Sequence, residues 1–422
     1  MRSDWQDCTL GDAVTLKRGY DLPAKERRTG TVPIVSSSGF SGLHSESMVK
    51  GPGVVTGRYG TIGQVFYVEH DFWPLNTTLY VQDFKGNDRR FVSYMLRTLD
   101  FHQFSDKAAV PGVNRNHLHT ARIVLPPVPQ QVRIASLLQS FDDRIDLLHK
   151  TNATLESIAH ALFKSWFIDF DPVRAKAEGR EPEGMDASTA ALFPAEFAES
   201  ARGLIPKGWS VSSLAEQCAV QIGGVWGEEA HTDKASVKVS CLRGIDAVEL
   251  AQGDLPTPPV RWVSPKQIES RRLRKGDILI EGSGSFCGRS LLWVDGYKEL
   301  MAFTPTYSNF VKRVSAPSGP HFARWIQRHL NGMYQSGEVK NYRTGSAFPN
   351  LDLSGMLGVF RVMPPAELLL QFDALMGSFE ALKVGQIQQA ASLAALRDTL
   401  LPRLISGKLR LPEAESAIEG VA

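Results

Sequence analysis

The feature that most constrains this chain is that it is written twice. Trp5-Gln-Asp-Cys-Thr-Leu10-Gly-Asp12 aligns with Trp209-Ser-Val-Ser-Ser-Leu214-Ala-Glu216 at an offset of 204 residues, and the match continues to Gly19 over Gly223. Deeper in each half, Val54-Val55-Thr-Gly57 resembles Leu279-Ile280-Glu-Gly282, and Gly63 falls on Gly288, at an offset of 225. At offset 238, Pro111 aligns with Pro349, Val113 with Leu351, Asn114 with Asp352, and Pro126-Pro127 with Pro364-Pro365. Three matches in the same order identify an internal repeat. The growing offset places extra loop residues inside the globular part of the second copy.

After each Pro-Pro pair the pattern turns helical. Ile134, Phe141, Leu148, Leu155 and Leu162 recur every seven residues, and Leu138, Ile145, Asn152, Ala159 and Trp166 fill the other seam position. Copy two carries Phe372, Phe379, Gln386, Leu393 and Leu400 in the same register, with Lys383 and Gln386 making its middle more polar. A 4-3 spacing held this long is a coiled-coil signature. A helix from about Gln130 to about Phe170 would be ~60 Å long at 1.5 Å per residue. The two copies are the obvious partners for each other, antiparallel; the alternative is two separate core helices in two domains. Elsewhere each copy reads as mixed strand and loop. Strands are expected at Gly53–Gly57, Gln64–Val68, Thr78–Val81, Asp277–Glu281, Ser290–Val294 and Tyr307–Val311, and short helices at Phe91–Leu99 and His321–Leu330. The stretch from Asp171 to Gly208 reads as a connector with one short helix near Ala187–Leu192, and the acidic tail after Lys408 as frayed.

Composition narrows the class. The chain has 422 residues, 43% apolar and 22% charged, with a net charge of +2. These values exclude a largely disordered chain and a fibre. No run of 18 apolar residues occurs, and the polar start lacks the apolar segment of a secretory signal. Cys8, Cys218, Cys241 and Cys287 are far apart, which argues against a disulfide framework or zinc site and for a reducing cytoplasm. Near-neutral charge leaves nucleic acid open, because local basic patches set phosphate contacts. Such patches are Lys25, Arg27 and Arg28; Arg89 and Arg90; and Arg271, Arg272, Arg274 and Lys275, the plain reading of each being a solvated loop.

No catalytic or metal site stands out. There is no GxxxxGK[ST] loop, HExxH helix, GxSxG elbow or [ND]PP[FY] motif. Asp277 and Glu281 lack the lysine that would complete a nuclease metal pair, and His117 with His119 reads as a surface pair. What remains is a surface suited to binding, because glycine lets a backbone approach a polyanion closely. Ser, Thr, Asn and Arg beside it can contact phosphates and base edges. In copy one the candidates are Lys17, Arg18 and Tyr20; Ser36 and Ser37; Arg58, Tyr59 and Thr61; and Asn114 and Arg115. In copy two they are Arg243; Ser283 and Ser285; and Lys340, Tyr342, Arg343, Thr344 and Ser346. Ordinary turns are the alternative at any one loop, but the same regions recur in both halves.

These residues resemble the DNA-specificity subunit of a type I restriction-modification enzyme over nearly the whole chain. The resemblance is carried by the opening Trp-x4-Leu-Gly-Asp, by Ile34-Val35-Ser-Ser-Ser-Gly39 and by Gly57-Arg-Tyr-Gly-Thr-Ile-Gly63. Leu125-Pro-Pro-Val-Pro-Gln-Gln-Val-Arg-Ile-Ala135 is similar to the family's "LPP-x-x-EQ-x-x-IA", with Gln130 for the usual Glu. Trp166-Phe-Ile-Asp-Phe-Asp-Pro-Val-Arg174, Leu204-Ile-Pro-x-Gly-Trp209 and Leu401-Pro-Arg-Leu-Ile-Ser-Gly407 add to it, while Ala366-Glu367 departs from the expected Gln.

The resemblance implies an α+β fold of two globular α/β target recognition domains in pseudo-twofold repeat, separated by two long antiparallel coiled-coil helices. The implied segments are target recognition domain 1 (1–128), a central conserved helix (129–170), a connector (171–204), target recognition domain 2 (205–365), a C-terminal conserved helix (366–407) and a tail (408–422). It implies a cytoplasmic, non-catalytic protein that reads a bipartite asymmetric site on double-stranded DNA, with the helices setting the spacer. The implied partners are two modification (methyltransferase) subunits and two restriction (motor-nuclease) subunits. S-adenosylmethionine, ATP and magnesium would belong to those partners, with no cofactor in this chain and no membrane. Docking is expected on the outward helix faces, with Arg133, Arg144, His149 and Glu156 as candidates. The alternative is a coiled-coil scaffold without DNA reading.

Overall fold

The structure, a computed structural model, describes residues 4–105, 112–221, 223–345 and 349–419. It forms two compact units, one of residues 1–144 with 392–422 and one of residues 145–391. Each is built from one repeat's globular part, the start of that repeat's long helix and the end of the other's.

The repeat is exact at the level of backbone pairing. In the first unit Gln6–Thr9 runs antiparallel to Arg122–Leu125, with Gln6 opposite Leu125. In the second, Ser210–Ser213 runs antiparallel to Phe360–Met363, with Ser210 opposite Met363. The offsets of 204 and 238 carry one pair onto the other. Each opening strand then runs into a short helix closed by a capping box, Thr9 with Asp12 and Ser213 with Glu216. Both carboxylates accept from backbone donors that a helix start leaves orphaned.

A four-stranded antiparallel sheet follows in each unit. Its spatial order is Thr15–Arg18, Thr78–Asp83, Gly53–Gly57, Val65–Val68 in the first, and Ala219–Gln221, Val311–Ser315, Ile278–Glu281, Ser290–Leu292 in the second. Beside it lies a three-stranded sheet with one parallel pair: Gly39–His44, Val32–Ser36 and Trp73–Pro74, matched by Val260–Val263, Val237–Leu242 and Thr304–Tyr307. Helices Arg89–Arg97 and Pro320–Ser336 bury Phe91, Tyr94 and Met95, and Trp325, Ile326 and Leu330, in the respective cores. The strand expected over Tyr307–Val311 is instead a turn. Ser308 donates to the Leu242 carbonyl and Val311 to the Ser308 carbonyl, ending one strand before the next begins.

The long helices run Val128–Lys164 and Ala366–Ile405. The first ends in a wide turn at Ser165–Asp169 with Phe170 left-handed (φ 57°), the second at Gly407 (φ 64°). Within the first unit their segments pack antiparallel: Ile134, Leu138 and Phe141 share a core with Leu400, Leu401 and Leu404, and Arg397 bonds Asp142 at 2.5 Å. Within the second unit Phe163, Trp166 and Phe167 surround Phe372, ring centroids 5.1–6.0 Å apart. Of the heptad residues, Ile134, Phe141, Leu148, Phe372 and Leu400 are buried, while Leu155, Leu162, Phe379 and Leu393 are half-buried. Lys383 explains the polar middle of the second helix. It is buried and donates to the carbonyl of Ala251, in the last turn of helix Gly244–Gln252.

Two segments are more ordered than expected. The connector holds helices Asp171–Ala177 and Ala187–Ala191 and a hairpin, Phe197–Ser200 with Gly203–Pro206, and sinks Val173 and Phe193 into the second core. The tail is not frayed over Leu411–Glu419, a helix that buries Ala414 in the first core and pairs Glu415 with Arg133 at 3.6 Å. The start of each long helix also differs between copies. Trp5 donates its indole N–H to Gln130 Oε1 at 2.9 Å, whereas the position equivalent to Gln130 is Leu368 and the buried Trp209 Nε1 has no acceptor. Among the described residues, no helix is long and apolar enough to cross a membrane.

Candidate nucleic-acid interface

In the first unit, three segments far apart in sequence meet at one end of the four-stranded sheet. Strand Thr15–Arg18 alternates, so Arg18, opposite Leu79, shares the face of buried Leu16. Strand Gly53–Gly57 then breaks sharply. A Cβ on Gly57 would lie 1.8 Å from the Thr61 carbonyl oxygen, so only glycine lets residues 57–61 fold back. The backbone N–H groups of Arg58 and Tyr59 donate to the Thr77 carbonyl, and Val113 N–H donates to the Arg58 carbonyl at 2.9 Å. Tyr59 bridges to Gly112, where a Cβ would lie 2.4 Å from the Tyr59 ring. The Arg58 guanidinium lies over that ring at 4.4 Å. Asn114 accepts from Asn116 N–H and starts the short helix Arg115–His119.

The result is a cleft of about 480 Å³ lined by Arg18, Arg58, Tyr59, Leu79, Gly112, Val113, Asn114 and Arg115. Its lining holds three arginines and no carboxylate. Arg18 is tied only loosely, to the exposed Asp21 at 3.3 Å. Ser37 borders the loop, its carbonyl 3.2 Å from where a Gly57 Cβ would stand, and Thr61 is exposed. Leu79 and Val113 line the cleft although the sequence marks neither as a binding residue, and no polar motif signals them.

Other candidates lie elsewhere. Lys17 and Tyr20 face the opposite side of the sheet from Arg18. Tyr20 shares a hydroxyl hydrogen bond with Tyr80 at 3.0 Å, and Lys17 Nζ lies 5.6 Å over the Tyr20 ring. The Ser36 hydroxyl donates to the Gly39 carbonyl and shapes its own turn. His117 is exposed and His119 half-buried: the His119 Nε2 accepts from Leu16 N–H at 2.9 Å, and burial lowers its pKa. Arg27 donates to the Ser41 carbonyl, Arg28 pairs with Glu46, and Arg90 sits 3.5 Å over the Tyr67 ring.

The second unit closes the same backbone frame with different chemistry. Ser283 bridges to Asn350, and Leu351 N–H donates to the Gly282 carbonyl. Ser283 is buried, while Ser285, Lys340 and Thr344 are exposed and Tyr342 half-buried. Two arginines have structural work. Arg243 holds the fully buried Asp246 through Nε at 2.9 Å and Nη2 at 2.8 Å. Arg343 turns inward and donates to the Cys287 carbonyl at 2.5 Å. Ser346 lies outside the described residues. Asp277 accepts from Arg274 N–H and faces Arg313 at 3.6 Å, while burial raises the pKa of Glu281 beside Gly244. Among the described residues no group of three metal-capable side chains gathers. Burial holds the Cys218 and Cys241 thiols up at about 12, so neither is a ready nucleophile. On the helices, Glu156 receives the Arg328 guanidinium and His149 meets Asp254 at 3.1 Å, so both face the second unit's own globular part; Arg144 is exposed.

Residues 2–157 match the family model described as the type I restriction modification DNA specificity domain. The type I restriction enzyme HindI specificity subunit of Haemophilus influenzae is 22% identical, with 96% of this chain and 100% of that protein covered. The MjaIX specificity subunit of Methanocaldococcus jannaschii is 25% identical, covering 76% of this chain and 69% of its own. In fold, the chain is similar to the crystal structure of a type I restriction-modification S subunit from M. genitalium, with a TM-score of 0.52 at 14% identity over 95% of this chain and 96% of that one. Residues 2–157 thus match the type I DNA specificity domain, and over nearly its whole length the chain is similar to type I restriction enzyme specificity subunits.

Proposed function

We propose that this chain is the non-catalytic subunit that selects the DNA site for a type I restriction-modification enzyme. Residues 1–128 and 205–365 each read one part of a bipartite asymmetric site. The helices at 129–170 and 366–407 set the spacer and, on their outward faces, receive two modification subunits. Two restriction subunits complete the assembly. S-adenosylmethionine, ATP and magnesium act in the partners, where the selected adenine is flipped from the stack and methylated.

The observation that carries this reading is the first unit's cleft, where Arg18, Arg58, Tyr59, Asn114 and Arg115 converge with no carboxylate among them. Guanidinium groups there can bond guanine edges bidentately or neutralise phosphates, and the Asn114 and Arg115 side chains are exposed. The test is co-expression with the modification subunit, followed by sequencing of N6-methyladenine in the host DNA. A split motif with two half-sites and a fixed gap is expected. No complex, no methylation and no cognate preference would favour a scaffold.

A further inference from the structure

The two repeats share a frame but not the charges that stand on it. The cleft arginines of the first repeat, Arg18, Arg58 and Arg115, fall at offsets 204, 225 and 238 on Ile222, Ser283 and Leu353. Leu353 is buried in the core, and Ser283 is closed by its bridge to Asn350. The positions equivalent to the three cleft arginines therefore carry no cation in the second repeat.

Cations gather instead around a helix of the second repeat that the first does not have. The offset rises from 204 to 225 between Gly223 and Leu279, so 21 extra residues lie in that interval. Where the first repeat passes from strand Gly39–His44 to strand Gly53–Gly57 through a loop, the second inserts helix Pro265–Arg271. On one side is a cleft of about 830 Å³ where Lys234, Lys266 and Arg271 stand around Trp262, with Glu228 its one carboxylate. On the other is a cleft of about 360 Å³ bearing Arg272, Arg274, Lys275 and Lys298, with Asp295 its one carboxylate. Adjacent Arg271 and Arg272 join the two.

These cations are also uncommitted. Several other arginines in this unit are paired: Arg243 with Asp246, Arg324 with Asp373, Arg361 with Glu338. Among the described residues, the side chains of Lys234, Lys266, Arg272, Lys275 and Lys298 have neither an ion pair nor a hydrogen bond, and all five are exposed. A run of exposed, unpaired cations beside an indole is suited to a phosphate backbone, since each neutralised phosphate releases counterions.

We infer that the second repeat meets double-stranded DNA through this basic face around the inserted helix, Lys234, Lys266 and Arg272–Lys275, and not through the counterpart of the first repeat's cleft. The inference rests on the DNA-reading function proposed above. The test uses the full chain and a duplex library of randomised sequence, with binding followed by anisotropy across a salt series. R272Q/R274Q/K275Q is expected to lower the slope of log affinity against log salt by about 2 to 3 and to weaken binding about tenfold or more at physiological salt. K234Q/K266Q is a second, independent probe of the same face, expected to lower the slope by about 1 to 2. S283A/S285A, at the counterpart loop, is expected to stay within about twofold of wild type. Equal melting temperatures verify that the charge variants are folded. Wild-type slope and affinity in both charge variants would overturn the inference, as would a loss in S283A/S285A matching theirs. If the wild-type chain itself binds with no salt dependence and enriches no split motif, the DNA-reading function fails, and the inference with it.

Discussion

At the scale of single residues, the same side-chain type does opposite work depending on its neighbours. Arg58 rests on the Tyr59 ring at the mouth of a cleft, while Arg343 is folded inward to the Cys287 carbonyl. Arg58→Ala should therefore weaken cognate binding by about tenfold or more, the loss of one bidentate contact, with an unchanged melting temperature. Arg343→Ala should instead destabilise the fold by about 1 to 3 kcal/mol, because it leaves a buried acceptor unpaired. Anisotropy beside thermal melting separates the two, and the reverse pattern would contradict both assignments. His329 offers a pH test. It is buried between Trp325 and Phe163, ring centroids 4.5 and 5.0 Å away, and desolvation, helped by Arg361, holds its pKa down at about 3. The unfolded chain takes up this proton below about pH 6.5 and the folded one does not until about pH 3. Its contribution is therefore complete above pH 6.5 and is lost as pH falls through that window. At pH 5 the loss amounts to about 2 kcal/mol. His329→Phe should flatten the acid limb of a stability–pH curve between those values; an unchanged limb would show that the imidazole is not held neutral.

At the scale of elements, each long helix is closed by a left-handed residue and then a short helix that turns back onto a core. Asp171–Ala177 buries Val173 in the second unit, and Leu411–Glu419 buries Ala414 in the first. Gly407 allows the second closure: a Cβ there would stand 3.1 Å from the Trp5 ring, at φ 64°. Truncation after Lys408 removes Ala414 and Leu411 from that core and the Arg133–Glu415 pair from its rim. It should cost on the order of 2 kcal/mol. Calorimetry should show the transition of the first unit lowered by several degrees, while an unshifted transition would mean that the terminal helix adds nothing to that core.

At the scale of the whole molecule, the organisation is one of exchange: the first unit holds the start of one long helix and the end of the other, and the second unit holds the reverse. If the helices set the spacer, their length is a measurable determinant of specificity. Inserting one heptad into each helix adds roughly 10 Å, about three base-pair steps. Methylated-motif sequencing should then return the same two half-sites with a longer gap, and an unchanged gap would remove the ruler role.

Much of this was legible in the sequence because a repeat records its own register. The offsets 204 and 238 carry Gln6 opposite Leu125 onto Ser210 opposite Met363 without any knowledge of the fold. Heptads and capping boxes are likewise local patterns, determined by the 3.6-residue turn and by the orphan donors of a helix start. Which side chains are free was not legible. The spacing Arg243-x-x-Asp246 does hint at a cap, but the Cys287 carbonyl that holds Arg343 is 56 residues away, and Tyr80, which meets Tyr20, is 60 away. The connector reads as loose because it is rich in Pro, Glu, Ala and Gly, and the tail because it is acidic; their order comes from cores already assembled by distant segments. The repeated frame and its long helices follow from the order of residues alone, since periodicity is a local property of the chain. Which arginines face solvent and which satisfy buried acceptors is settled in three dimensions, because it depends on partners that folding alone brings within reach.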